Sequence, residues 1–384
     1  MPRRTFSRLR TPISILMYDG LLSFEDCADI GDGWNWGPAA NDLVVSSRGC
    51  WCEVALEGNG ICLATLVLRA HLMLPARFHF NSMVRSNEWT ETTIESRITL
   101  RAGRDVVEVE ITVDNTAEDH RLRVLFPTGA DALTCLADGP FDVFERSIAL
   151  CDRNHRAREL EVDGKPQQTC TAVSDKRRGL VIVSSGMMES AVVDAPQHPI
   201  ALTLLRSTRR TVGTSGEPDG LLRGKHTFHL PLVPLRGAVD CVDLGQLGAR
   251  LAAGLRMAQL TAGDVGMLRP ERILPAGQSL LQVEGDALVR SFRQVDGALE
   301  LRIYNPCETA VDGRLLIPAG SPLASCRMVE RVDFERRPLG NAEPLLGAEL
   351  PSPCVPRRSP HSACGSASLS LAFLSGHTLV SEEC

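Results

Sequence analysis

The chain has 384 residues, with 41 Lys and Arg against 47 Asp and Glu, a formal net charge of −6. That length allows two or three domains with a sizeable core. The near-balance, with no run of like charge, argues against a nucleic-acid binder and gives no charged face suited to a membrane surface, and no segment is long enough to span a bilayer.

In chain order, residues 1–17 are basic and then briefly apolar. Ile13 to Tyr18 is too short for a signal peptide, so this stretch is read as an unstructured leader. Next comes an acidic cluster, Glu25, Asp26, Asp29 and Asp32, followed by Trp34 and Trp36. Asp and Gly at this density build tight turns whose carboxylates cap backbone N–H groups. The same residues also suit a binding cleft, with Asp29 or Asp32 touching ligand and the two tryptophans, alternating on a strand, offering one flat face. Cys50-Trp51-Cys52 reads as ordinary strand residues rather than a redox or metal pair. Cys62, Cys135 and Cys241 sit singly in apolar stretches. They read as buried thiols of a reducing compartment, hence a cytoplasmic localisation.

From Ile61 onward the dominant period is two. Ile61 to Pro75 predicts one long strand or two. In Asp105 to Asn115, Val107, Val109, Ile111 and Val113 face one way while Glu108, Glu110 and Thr112 face the other. Arg121 to Pro127 repeats the alternation with Leu122, Val124 and Phe126 inward, and the short polar link between the two predicts a hairpin. Asp119, His120, Arg121 and Arg123 then form a polar concentration, either a charged inter-domain seam or an Asp119–Arg121 salt bridge fixing that hairpin. Further strands are expected at Leu180–Ser184, Ile200–Arg206, Thr227–Leu232 and Leu299–Tyr304. Only Leu244 to Leu260 has helical spacing, weakened by Gly248 and Gly254. Gly266 to Gln278 reads as a linker and places a boundary near 275; the residues from Pro351 show poor periodicity. Many strands with Gly and Pro turns point to packed antiparallel sheets.

Several stretches resemble bacterial-type glycoside hydrolases of family 38. They are FEDCADIGDGWNWGPAANDLVV (Phe24 to Val45), VDNTAEDHRLRVLFPTG (Val113 to Gly129), SDKRRGLVIVSSGMMES with IALTLLRS at Ile200 to Ser207, and VEGDALVRSFRQ…LELRIYNP (Val283 to Pro306). They stand in the family's order over roughly residues 18–320. Glu189-Ser190-Ala191 and the last residues depart from its pattern.

The resemblance implies an all-β chain: a large antiparallel, galactose-mutarotase-like β-supersandwich over 18–270, a small β-sandwich over 275–350, and an irregular tail over 351–384. It implies the C-terminal, non-catalytic half of an α-mannosidase. The retaining carboxylate pair and the zinc would lie in an N-terminal catalytic α/β domain, on the same or a separate chain, and an α-mannoside would be the ligand. This chain itself carries no His-x-Asp and no His-His pair, and His226 and His229 are spaced to point to opposite faces of a strand, so no metal site or catalytic residue is expected in it. The alternative is a stand-alone carbohydrate-binding or structural β-module. A mutarotase-like epimerase would need a carboxylate base and a His acid in one cleft.

Overall fold

Period-two alternation becomes strand along most of the chain. The computed structural model describes residues 20–151, 161–209, 218–255, 279–295, 298–307, 313–318, 321–344, 349–350 and 368–375, with single positions at 257, 259, 261, 263, 309 and 311. The expected leader and the linker at Gly266–Gln278 lie outside the described residues. Contacts divide the chain into one unit of residues 1–137 and 145–239 and a second of 138–144 and 240–384.

The first unit is built from a six-stranded and a nine-stranded sheet. The six-stranded sheet runs Lys165–Pro166, Glu189–Val192, Ile200–Ser207, His120–Phe126, Ser23–Ala28, Val45–Ser46. The nine-stranded sheet starts at Val143–Ser147 and Thr134–Asp138 and passes through Cys170–Ser174, Gly179–Val183, Gly224–Leu235, Val107–Asn115 and Trp89–Arg101. It ends at Leu63–Pro75 and Trp51–Asn59. Leu63–Pro75 is one continuous strand.

The expected hairpin does not form. Val107–Asn115 pairs with Trp89–Arg101 and Gly224–Leu235 in one sheet, whereas His120–Phe126 pairs with Ser23–Ala28 and Ile200–Ser207 in the other. Both inward faces were read correctly: Val109, Ile111, Val113, Leu122, Val124 and Phe126 are all buried in one core cluster. Two apolar faces that meet belong to stacked sheets, because paired neighbours in one sheet present their apolar sides in the same direction. The link turns the corner with Asp119 at a positive φ of 54° and its carbonyl accepting from Asp29 N–H.

In the second unit, Leu315 and Val283 from a three-stranded sheet share a core with Leu301, Ile303 and Val329 from a five-stranded one. The helix runs Cys241–Ala253. Asp240 caps its start and Gly254, at a φ of 61°, stops it short of Leu260. A Cβ at Gly245 would fall 2.5 Å from Leu288 Cδ1, so a larger residue there would require the Leu288 side chain to shift. Within the tail expected to be irregular, Ser368–Ser375 forms a strand between Ala298–Tyr304 and Cys326–Val332. Its SLSLAFLS alternation is short, and the flanking Pro, Ser and Cys mask it in the sequence.

Candidate functional site

The acidic segment leaves its strand at Ala28 and becomes a tight loop rather than a second strand. Asp29 Oδ1 accepts from Gly31 and Gly37 N–H, and Ile30 N–H donates to the Gly37 carbonyl, so the loop closes on itself. The crossing is so close that a Cβ on Gly31 would lie 2.0 Å from the Asn35 carbonyl. Arg206, from Ile200–Ser207, the strand beyond His120–Phe126 in the same sheet, clamps it from one side. Its Nε donates to Asp29 Oδ2 at 2.7 Å, and its Nη2 to Asp29 Oδ1 at 3.2 Å and to the Asp32 and Asn35 carbonyls at 2.8 Å each.

Asp29 is therefore buried and paired, not aimed at a ligand. Asp32 is partly exposed, but its carboxylate accepts from Trp34 and Asn35 N–H, and those backbone bonds hold it below the ordinary aspartate range. Both carboxylates thus take the turn-building role. Trp34 and Trp36 do not share a face. Trp34 is 70% exposed at the loop tip, whereas half-buried Trp36 donates Nε1–H to the Ala28 carbonyl. Their divergence follows from the turn that Asp32 caps.

Trp36 lies over Arg121, whose Cζ is 3.6 Å from the ring centroid. Arg121 is only 2% exposed; its Nη1 reaches Glu189 at 3.5 Å, and its Nε has no hydrogen-bond partner among the described residues. Two residues along, buried Arg123 joins Glu25 and, at 3.0 Å, Asp163. Burial works against ionised Asp163, but the Arg123 charge and hydrogen bond, with Arg121 beyond, outweigh it and lower its pKa. Thr203 donates to Glu189 at 2.6 Å. The outer face of the six-stranded sheet therefore carries two buried guanidiniums ringed by partly exposed carboxylates, with an aromatic loop alongside.

The other two seam candidates part from this face. Asp119 pairs with Arg209, not with Arg121, and is buried. His120 points into the sandwich, where Nδ1 meets Asp26 and Nε2 meets Asn115 Oδ1 at 2.9 Å. Asn115 is held there by donating to the Leu221 and Leu222 carbonyls, and Asp26 also pairs with buried Arg85. This polar chain ties the two sheets together at the corner where the hairpin was expected. The residues missed in the sequence are Arg206 and Arg85; each is distant in sequence from its carboxylate, and only the sheet pairing brings Arg206 to Asp29.

Among the described residues no group of three or more His, Cys, Asp and Glu gathers in a way that would hold a metal. His226 and His229 do face opposite ways, toward Leu222 and Glu110 respectively. Cys62, expected to be buried, is exposed at a turn, and Cys135 and Cys241 are only partly covered. No helix among the described residues is long and apolar enough to cross a membrane.

The chain is built almost wholly of antiparallel sheets, with the single described α-helix at Cys241–Ala253. Residues 73–219 match the family model of the glycosyl hydrolases family 38 C-terminal domain. A protein of Halalkalibacterium halodurans designated a mannosylglycerate hydrolase is 26% identical over 313 residues, 75% of this chain but 33% of its own length. Two solved structures from Enterococcus faecalis share the fold over 93% of this chain. One is a glycosyl hydrolase family 38 protein (TM-score 0.70, 20% identity, 40% of that chain) and the other an α-mannosidase (TM-score 0.72, 22% identity, 39% of that chain). Residues 73–219 carry the C-terminal domain of family-38 glycoside hydrolases, and the chain spans well under half the length of these relatives.

Proposed function

We propose that this chain is the non-catalytic half of an α-mannosidase-type glycoside hydrolase, and that the outer face of its six-stranded sheet forms one wall of a sugar cleft completed by an N-terminal catalytic domain. The observation that carries this reading is the aromatic–guanidinium–carboxylate patch of Trp36, Arg121 and Glu189, beside the exposed Trp34. Aromatic faces stack on sugar rings, and paired carboxylates and guanidiniums match their hydroxyls. The patch is poorly made for hydrolysis by itself. A general acid needs a raised pKa, and here Asp163 is lowered while Glu25 and Glu189 are tied to arginines. The carboxylate pair, and the zinc that grips sugar hydroxyls, would come with the N-terminal domain, in a reducing cytoplasm.

The test combines the purified chain with the family-38 N-terminal polypeptide and follows aryl α-mannoside hydrolysis. No turnover is expected from the chain alone, and zinc-dependent turnover from the pair. Chelator-sensitive turnover by the chain alone, with stoichiometric zinc, would overturn the reading. The stand-alone binding module predicts mannoside binding, unaided and undiminished by an N-terminal partner.

A further inference from the structure

The two layers of the first unit do not match in width. The nine-stranded sheet ends in two long strands, Leu63–Pro75 and Trp51–Asn59, whereas the six-stranded sheet stops at the two-residue strand Val45–Ser46. Cross-strand register shows what this leaves bare. One row on the inner face runs Val109, Ile98, Leu66, Leu56; the next runs Ile111, Ser96, Leu68, Val54. Exposure climbs along the first from 2% at Val109 to 60% at Leu56, and along the second from 0% at Ile111 to 64% at Val54. The inner face stays apolar while its cover ends.

The opposite face of the same strands is a lattice of ion pairs, Glu53–Arg69–Glu95 and Glu57–Arg97–Glu110. That face is built for water, and the row ending in Leu56 and Val54 is not. Beyond them Trp51–Asn59 is also the last strand of its sheet, with its outer edge unpaired among the described residues.

We propose that this bare end, centred on Val54, Leu56, Leu66 and Leu68, seats the polypeptide that precedes the C-terminal region in longer family-38 chains, as an apolar layer continuing past Val45–Ser46. This rests on the two-part reading above. The choice of occupant follows from length: the solved relatives match this chain over 93% of it yet keep roughly 60% of their own chain outside the match. A layer that completes the narrower sheet would take the exposed ends of both rows out of water.

The experiment co-expresses the full 384-residue chain with a tagged family-38 N-terminal polypeptide and captures the pair through the tag. The double variant Val54→Asp/Leu56→Asp is compared with Arg104→Gln, an exposed turn residue that pairs with Glu108 at 3.6 Å. Both changes are at exposed positions, and melting curves check that folding is intact. At least a tenfold loss of capture is expected for the double variant and none for Arg104→Gln. Equal capture of the double variant overturns the docking face while leaving the two-part reading intact. Failure to capture the wild type overturns both. A dimer of the chain alone that the double variant splits overturns the proposal in favour of a second copy. Independently, in the solved Enterococcus faecalis α-mannosidase the residues superposing on Val54, Leu56 and Leu68 are expected to be buried by chain outside the matched 39%; solvent there overturns the inference.

Discussion

Replacing Arg206 by methionine should be among the most damaging single changes in the first unit. The Arg206 guanidinium makes four hydrogen bonds, two to Asp29 and two to loop carbonyls. Methionine keeps much of the stem but leaves the Asp29 carboxylate buried, with only the Gly31 and Gly37 N–H groups as partners. Removing one partner of a buried pair costs about 3–5 kcal/mol, chiefly from the uncompensated charge. For a unit of this size that is a melting temperature lower by roughly 10 °C. The double variant Asp29→Asn/Arg206→Met removes that charge too, so it should recover part of the loss. The assay is urea unfolding followed by circular dichroism, read as a double-mutant cycle. A cost for Arg206→Met below about 1 kcal/mol, or single costs that simply add, would refute the buried-charge argument.

Trp34→Ala should change stability by less than about 0.5 kcal/mol, whereas Trp36→Ala should cost about 2 kcal/mol, because it strips the cover from buried Arg121; thermal melts decide it. Acid should weaken the first unit in part through Asp163. Its folded pKa is depressed, so its contribution is present above the unfolded aspartate pKa and is lost as pH falls through the folded value. Asp163→Asn should therefore flatten the fall in stability below about pH 4; an unchanged slope in urea midpoints would count against the Arg123 pairing. Burial raises the Cys27 thiol to about 11, so at pH 8 maleimide labelling read by mass spectrometry should reach exposed Cys52, Cys62 and Cys151 well before it.

The alternation of Val107 to Val113 and of Leu122 to Phe126 determined by itself that these segments are strands and which side of each is buried. The matched motif stretches in order pointed to the family. Periodicity is local, set by successive side chains projecting to opposite faces of one strand. Which strands pair is not local, so a short polar link that suggested a hairpin became a crossing between sheets once both apolar faces had to meet in one core. The acidic loop shows the same limit. Sequence gave its composition, but its charge balance came from Arg206, 177 residues away, brought there by strands from distant parts of the chain packing side by side. Whether Asp29 is a ligand or a buried strut was decided by that pairing alone. A carboxylate's role depends on its partners, and here the partner is supplied by the tertiary fold.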